Sequence, residues 1–149
     1  MSSLKIERLG PEQVDVMHAA NRLFSEVFGD EAYQGVAAGD GHLHKLLSDR
    51  KFIALSAEID GAMVGALAAY ELVKYEAERS EIYIYDLAVL EAYRRRGVAT
   101  ALIEALKPIA NEIGAWVIYV QADPPDAPAV ALYDRLGKRE EVFHFDIMP

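Results

Sequence analysis

Apolar and polar residues follow two different periods along the chain, and the changes between them predict alternating strands and helices. Short apolar runs rich in Ile, Val, Tyr and Ala are typical of strands, whereas apolar residues at steps of three and four are typical of amphipathic helices. Strands are predicted at residues 4–9, 52–59, 63–70, 81–89, 115–121 and 141–147. Helices are predicted at residues 11–28, 42–47, 97–113 and 128–136.

Glycine and proline residues mark the ends of several of these elements. Asp60 and Gly61, between the second and third strands, are a strong signal for a two-residue hairpin turn. Gly114 is expected to end the third helix, because glycine readily adopts the backbone conformation of helix C-termini. Pro108 lies inside that helix and is expected to kink it or to remove one hydrogen bond. The glycine-containing segment 30–41 is interpreted as a mobile loop.

The order of the predicted elements is β-α-α-β-β-β-α-β-α-β, which indicates a mixed α/β fold with helices on both faces of one sheet. The strand at residues 115–121 is apolar on both faces and is therefore expected to be central. We expect a single domain over residues 1–149, a length close to the commonest one for domains. The chain has 52% apolar and 26% charged residues, which is typical of a folded protein in water.

Composition excludes several kinds of chemistry. The chain has no cysteine, which excludes disulfides, thiolate nucleophiles and cysteine-ligated zinc. His18, His42 and His44 have no spacing that indicates a metal site with other ligands, so no metal is expected. No apolar run is long enough to span a membrane, and the first residues lack the pattern of a signal peptide. The expected location is therefore the cytoplasm.

The charge of the chain is unevenly distributed. Its net charge is −9, yet Arg94, Arg95 and Arg96 are consecutive. A negative surface disfavours nucleic acid as a partner and attracts cations, whereas the arginine cluster is the natural place for an anion. The alternative interpretation is that the negative charge only keeps the protein in solution.

The arginine cluster lies in a strand–loop–helix segment. The strand 81–89 leads into a loop that ends in Gly97, where the third helix begins. A helix N-terminus presents unpaired N–H groups that favour phosphate, and glycine lets the ligand approach the backbone closely. The segment lacks the Lys-Ser/Thr ending of a Walker loop, since Val98 follows Gly97, and it lacks the three spaced glycines of a dinucleotide fingerprint. The alternative is an ordinary basic turn before a helix.

Three motifs in the right order resemble those of the GNAT superfamily of N-acetyltransferases. These are the strand end Asp86-Leu87-Ala88-Val89, the signature Arg94-x-x-Gly97-x-Ala99, and the helix Ala131-Leu132-Tyr133-Asp134-Arg135-Leu136-Gly137. Residues 50–147 are most similar to the gentamicin-type aminoglycoside 3-N-acetyltransferases. Pro108 and the pair Pro124-Pro125 depart from that pattern.

The resemblance implies a central, mostly antiparallel sheet that is splayed after the fourth strand, with a bulge there that frees backbone groups for a ligand. It also implies acetyl-coenzyme A as co-substrate and assigns roles to residues of these motifs. The cofactor-binding residues that it implies are Leu87, Ala88, Val89, Arg94, Arg95, Arg96, Gly97, Val98, Ala99, Thr100, Ala129 and Tyr133. The N–H of Val89 is the implied donor to the thioester oxygen, and Tyr133 is the implied general acid for the departing thiolate. Alternatively, Tyr133 only packs. Tyr83, Tyr85 and Tyr119 are interpreted as packing residues of their strands.

A cationic acceptor needs carboxylates in a cleft. Asp86 is the leading candidate, because a carboxylate at the end of an apolar strand is costly unless it faces a partner or the cleft. Candidate acceptor-binding residues are Glu71, Asp86, Asp123, Asp126, His144 and Asp146. His144 is also a candidate base, since the imidazole pKa lies near neutrality, although a lone histidine is more often structural.

The expected function is transfer of an acetyl group to the 3-amino group of the 2-deoxystreptamine ring of an aminoglycoside, which confers antibiotic resistance. One alternative acceptor is a polyamine or a peptide N-terminus. A second alternative is a non-catalytic module that binds acyl-coenzyme A. A homodimer is expected, because exposed sheet edges after the fourth and last strands invite pairing between chains and because the resemblance supports it.

Overall fold

The central sheet has five strands in chain order, and helices pack on both of its faces. The computed structural model describes residues 3–29 and 36–149. The strands are β1 (Leu4–Arg8), β2 (Phe52–Ile59), β3 (Ala62–Val73), β4 (Ser80–Val89) and β5 (Ala115–Val120). The helices are α1 (Val14–Phe28), α2 (Asp40–Ser48), α3 (Val98–Ile113) and α4 (Ala127–Leu136), and a 3-10 turn at Glu91–Tyr93 precedes α3.

The sheet is mixed, as predicted. Strands β1 to β4 are antiparallel to their neighbours, whereas β5 is parallel to β4 because α3 carries the chain back across the sheet. The predicted hairpin joins β2 to β3. Asp60 and Gly61 have φ values of +53° and +80°, as a tight turn of the primed type requires.

Each face of the sheet has its own hydrophobic cluster. The α3 face includes the buried side chains of Ile53, Leu55, Val64, Leu67, Ile82, Ile84, Leu102 and Leu106, with Leu132 and Tyr133 of α4 at its margin. The face beneath α1 and α2 includes Met17, Leu23, Phe24, Leu43, Phe52, Ala66, Ala68 and Ala88. Small residues dominate the second face of the sheet, which lets α1 and α2 pack closely on it.

The helices agree with the predicted ones to within a few residues. Helix α2 begins at Asp40, inside the predicted loop 30–41, and residues 30–35 of that loop lie outside the described part of the chain. Helix α3 continues through Pro108, which has no N–H to donate to the carbonyl of Glu104. Gly114 ends α3 in the left-handed conformation, at φ +77°.

The prediction for the sixth strand was wrong. Residues 138–149 form neither helix nor strand and are exposed, so no strand exists at residues 141–147. A strand needs a hydrogen-bonding neighbour, and alternating apolar residues by themselves do not supply one. As a consequence, β5 is an edge strand and not the central strand that its apolar sequence predicted. Trp116 on β5 is 56% exposed.

Candidate functional site

A β-bulge in β4 shapes the middle of the candidate site. Asp86 lies opposite Ala68 while Ile84 lies opposite Ala69, so Tyr85 is an extra residue without a partner on β3. Ile84 and Leu87 both pack with the α3 cluster. The two residues between them, Tyr85 and Asp86, therefore both belong to the opposite face, beside one another.

Strands β4 and β5 separate at the position of this bulge. Their parallel ladder ends where Ile84 pairs with Val120, so β5 gives no partner to Leu87 or Val89 in the described part of the chain. The N–H of Leu90 donates to the carbonyl of Val64 at 2.9 Å. The alternation of an antiparallel ladder then turns the N–H groups of Leu87 and Val89 away from β3 and into the gap.

Ala88 differs from its two neighbours. In the same alternation it forms the hydrogen-bonded pair with Ala66 of β3, so its backbone groups face the sheet. Of the three residues predicted to align a ligand, only Leu87 and Val89 thus offer backbone groups to the gap between β4 and β5.

The N-terminus of α3 lies directly after this strand end. Arg95 and Gly97 have φ values of +64° and +79°, and the first helical N–H with a partner is that of Ala101, which donates to the carbonyl of Gly97 at 3.0 Å. The N–H groups of Val98 to Thr100 therefore have no intrahelical acceptor. No acidic side chain lies in the first turn, and no side chain caps it. This set of donors fits a diphosphate.

The three arginines of the loop have different partners. The Nε of Arg94 donates to the carbonyl of Val89 at 3.2 Å, which ties the loop to the end of β4. The guanidinium of Arg96 lies 5.2 Å from the ring centre of Tyr93. Arg95 is exposed and has no side-chain partner among the described residues, so its charge is available to an anion.

Strand β3 and the start of α3 pack closely together at Gly65, beneath the loop. A Cβ added to Gly65 of β3 would lie 3.1 Å from the carbonyl oxygen of Ala88 and 3.1 Å from Cγ1 of Val98. Glycine therefore allows the first turn of α3 to pack directly on the end of the β3–β4 ladder.

Helix α4 supplies the predicted phenol. Tyr133 is half-buried against the α3-face cluster, and burial away from water, with a smaller contribution from the charge of Asp126, raises its pKa to about 12. Its hydroxyl is therefore a protonated donor at neutral pH. Asp126 caps the helix by accepting the N–H of Ala129 at 3.3 Å.

A row of aromatic rings crosses the face that carries Asp86. The ring centres of Tyr70 and Tyr85 are 6.1 Å apart, those of Tyr85 and Tyr83 are 5.8 Å apart, and Tyr83 stacks on Tyr119 at 4.7 Å. Tyr85 is 64% exposed. The row therefore presents ring surface to solvent, although the sequence indicated that Tyr83, Tyr85 and Tyr119 only pack.

The predicted acidic residues lie in different environments. Asp86 is half-buried next to the tyrosine row, and Asp123 and Asp126 are exposed in and after the loop that follows β5. Glu71 lies opposite Ile82, near the β3–β4 hairpin end of the sheet and away from the β4 end. Its neighbour Tyr70 shares the face of Asp86, so the alternation of β3 turns Glu71 to the other face.

His144 and Asp146 lie in the exposed C-terminal segment, where the imidazole and the carboxylate contact each other at 2.9 Å. Among the residues that the structure describes, neither reaches another member of the candidate site. The same part of the chain has no cluster of three potential metal ligands and no helix that could cross a membrane.

These elements match those of a known family. The profile of the Acetyltransferase (GNAT) family matches residues 14–138. The chain belongs to this family. GNAT enzymes use acetyl-coenzyme A as acetyl donor, and the splayed β4 end with the following α3 N-terminus is the part of this chain whose donors fit that ligand.

Two solved structures resemble this GNAT chain over nearly its whole length. An aminoglycoside acetyltransferase from an uncultured soil metagenomic sample is 53% identical, with a TM-score of 0.95 over 99% of both chains. A second one from such a sample, solved in complex with trehalose and with sisomicin, is 34% identical. Its TM-score is 0.90 over 98% of this chain and 96% of that one.

Curated relatives match over shorter stretches. N-alpha-acetyltransferase of Saccharolobus solfataricus is 44% identical over 56 residues, which are 37% of this chain and 34% of that protein. Streptothricin acetyltransferase of Streptomyces lavendulae is 29% identical over 112 residues, or 75% of this chain and 55% of that protein. The chain thus spans roughly a third to a half of the length of these two relatives.

Proposed function

We propose that this GNAT enzyme transfers the acetyl group of acetyl-coenzyme A to an amine of an aminoglycoside, the 3-amino group of the 2-deoxystreptamine ring. One observation carries the proposal. The backbone donors of Leu87 and Val89, which suit an acyl thioester arm, lie at the same point of β4 as Asp86 and the tyrosine row, which suit a cationic sugar. A donor site and an acceptor site are thus adjacent.

Backbone groups and one arginine side chain bind the acetyl donor. Bound acetyl-coenzyme A supplies the activated acetyl group. The N–H groups of Val98 to Thr100 and the guanidinium of Arg95 hold the diphosphate at the start of α3. The backbone of Leu87 aligns the pantetheine arm as a strand would, in the place that β5 leaves open.

The N–H of Val89 donates to the thioester oxygen as negative charge develops there. It acts from a fixed backbone position in the gap, and such preorganised donors stabilise a developing oxyanion. The hydrogen bond from Arg94 to the carbonyl of Val89 holds the adjoining peptide, between Val89 and Leu90, in place.

Tyr133 donates a hydrogen bond to the departing thiolate. Its pKa of about 12 keeps the hydroxyl protonated, but complete proton transfer to a thiolate whose acid has a pKa of about 8.5 is uphill. Its contribution is therefore stabilisation of the leaving group by hydrogen bonding, and the thiolate takes its proton from the protonated nitrogen of the tetrahedral intermediate or from solvent.

Asp86 and the tyrosine row bind the acceptor. The carboxylate pairs with an ammonium group, and the exposed faces of Tyr85 and Tyr70 attract further cations and stack on sugar rings. The similar enzyme that is 34% identical was solved with trehalose and with sisomicin, which are both built of sugar rings. Asp123 and Asp126 add negative charge at the end of β5.

Turnover is tested by measuring the thiol released from acetyl-coenzyme A with gentamicin, sisomicin, spermidine and a short peptide with a free N-terminus as acceptors. Because the chain has no cysteine, a thiol-reactive dye reports only released coenzyme A. We expect turnover with both aminoglycosides, and NMR of the product locates the acetyl group on the 3-amino nitrogen. No turnover with any aminoglycoside would overturn the proposal, and acetylation of another ring nitrogen would overturn its regiochemistry.

A peptide N-terminus is the second candidate acceptor, because N-alpha-acetyltransferases of Saccharolobus solfataricus and Sulfurisphaera tokodaii are among the relatives. The same assay distinguishes the aminoglycoside from the peptide as acceptor, since a peptide acetyltransferase acetylates the peptide and not gentamicin.

A further inference from the structure

Gln121 is the first residue after β5, at the point where β4 and β5 separate. The ladder between the two strands ends where Ile84 pairs with Val120, so Gln121 lies beside the mouth of the gap. Its side chain is exposed, yet its Oε1 accepts a hydrogen bond from the hydroxyl of Tyr83 at 2.9 Å. This bond places the amide of Gln121 on the face of the sheet that carries the tyrosine row.

Tyr83 holds this amide in a fixed position. Its ring stacks on that of Tyr119, with 4.7 Å between the ring centres and 8° between the ring planes. The ring of Tyr85 meets it edge-on, with the centres 5.8 Å apart. Burial, with smaller contributions from the neighbouring tyrosines and Asp86, raises the pKa of Tyr83 above its usual value. The hydroxyl therefore stays protonated at neutral pH and remains a donor to Gln121.

The bond to Tyr83 decides which group of Gln121 is offered to a ligand. The amide oxygen is occupied, and the amide nitrogen has no acceptor within residues 3–29 and 36–149. An amide nitrogen only donates hydrogen bonds, whereas the ionised carboxylates of Asp86, Asp123 and Asp126 only accept them. The cleft thus combines carboxylates that bind ammonium groups with one oriented donor that binds an oxygen atom.

Asp86 lies close enough to this donor for one ligand to reach both. Its charge contributes to the raised pKa values of Tyr70 and Tyr83, so the carboxylate is within electrostatic range of both rings. Tyr85 follows the same face between those two rings and is 64% exposed. A sugar stacked on Tyr85 can therefore place an amine near Asp86 and an oxygen near Gln121.

We propose that Gln121 is a specificity-determining residue, whose amide nitrogen donates a hydrogen bond to a ring or hydroxyl oxygen of a bound aminosugar or aminocyclitol. Tyr83 is its positioning residue, and the hydroxyl of Tyr83 acts through the amide. The inference rests on the proposed function and adds a reason for the selection of sugars. An alkyl polyamine at neutral pH has N–H donors and methylene groups only, so it gives the amide of Gln121 no acceptor.

Gln121→Leu tests this hydrogen bond, because it removes the amide and keeps a side chain of similar size. We expect the KM for gentamicin to rise by about fivefold, the value of one ordinary hydrogen bond, with little change in kcat. The inhibition constant of spermidine, measured against gentamicin, should not rise, since spermidine has no acceptor for the amide. Asp86→Asn is the matched comparison and should weaken both ligands, because both are cationic. An unchanged KM for gentamicin in Gln121→Leu, or an equal loss for both ligands, would overturn the proposal.

Tyr83→Phe tests the positioning role, because it keeps the stacked ring and removes only the hydroxyl. The KM for gentamicin should rise by about twofold to threefold, since the released amide must lose its rotamer freedom on binding. The double variant Tyr83→Phe/Gln121→Leu should have the KM of Gln121→Leu alone, because the hydroxyl acts through the amide. Tyr75→Phe, at an exposed ring on the β3–β4 turn, is the matched control and should leave the KM unchanged. Losses that multiply in the double variant would overturn the positioning role.

Failure of this inference and failure of the proposed function give different results. A natural chain that acetylates gentamicin, with the same KM in Gln121→Leu, would overturn only the role of Gln121. A natural chain that acetylates no aminoglycoside would overturn the proposed function and with it this inference. The affinity for acetyl-coenzyme A should be equal in the natural chain and in Gln121→Leu, and a loss of that affinity would show a structural role for Gln121 and overturn the proposal.

Discussion

Tyr133 is the proposed hydrogen-bond donor to the departing thiolate, and its side chain is half-buried against the α3-face cluster. Removing its hydroxyl in Tyr133→Phe should lower kcat by about a hundredfold, the lower end for loss of one hydrogen-bond donor to a developing negative charge. The KM for acetyl-coenzyme A should change little, because the ring and its packing remain. Tyr75→Phe, at an exposed position on the β3–β4 turn, is the matched control. Equal activity of the two variants would remove Tyr133 from the reaction.

The pH dependence of kcat follows from the same pKa. The active form of Tyr133 is the protonated one, and burial raises its pKa to about 12. A raised pKa moves the loss of the proton to higher pH, so Tyr133 should cause no alkaline fall in kcat until about pH 11. A fall centred near pH 10 that is absent from Tyr133→Phe would contradict the burial of the phenol.

Substitution of Asp86 tests its proposed role in binding the cationic acceptor. Asp86→Asn keeps the size of the side chain and removes its charge, which should lower kcat/KM for a cationic aminoglycoside by about tenfold to a hundredfold. Binding of acetyl-coenzyme A should remain near normal, because the donor groups lie on the other side of the bulge. Asp60→Asn is the control, at a turn position where asparagine tolerates the positive φ. Equal kcat/KM in both variants would show that Asp86 binds no ammonium group.

At the scale of the element, the two ends of α3 offer a matched pair of glycines. Gly97 and Gly114 have φ values of +79° and +77°, and a Cβ at either position would meet no atom within 4 Å. Alanine should therefore lower the free energy of unfolding by a similar amount at both positions, about 1–2 kcal/mol. Only Gly97→Ala should also weaken acetyl-coenzyme A binding, since only that Cβ faces the proposed diphosphate. Equal affinity in both variants, measured by calorimetry, would contradict the placement of the diphosphate.

Local signals in the sequence predicted the elements, and contacts distant in sequence decided the rest. Asp60 and Gly61 specify their own turn, and the arginine-glycine loop specifies its own helix start, so both were predicted. A bulge at the end of β4 was expected from the resemblance, but its position at Tyr85 depends on register with β3, which a strand's own residues do not encode. Without the bulge, alternation places Tyr85 and Asp86 on opposite faces, and the tyrosine row beside Asp86 is missed.

The final strand shows a similar limit at the scale of the whole molecule. Its alternating pattern was identified, but such a pattern does not say which strand edge the segment would pair with. Strand β5 was expected to be central because both of its faces are apolar, and within one copy it is the edge.

The charge of the whole molecule predicts a salt dependence. The net charge of −9 attracts a polycationic acceptor and repels the anionic coenzyme, except at the arginine loop. Added salt screens both effects, so kcat/KM for gentamicin should fall as ionic strength rises. A neutral sugar analogue with a single amine should show a much weaker dependence. The same salt dependence for both acceptors would contradict electrostatic attraction of the acceptor.

Hydrogen exchange with and without acetyl-coenzyme A tests the central claim, that the gap beside β4 and the start of α3 bind this ligand. The amides of Leu87 and Val89 and those of Val98 to Thr100 should become protected on binding. The amide of Ala88, already paired with Ala66, should change least. Saturating ligand that leaves these amides exchanging as before, in a chain that gives no heat on titration, would contradict the account.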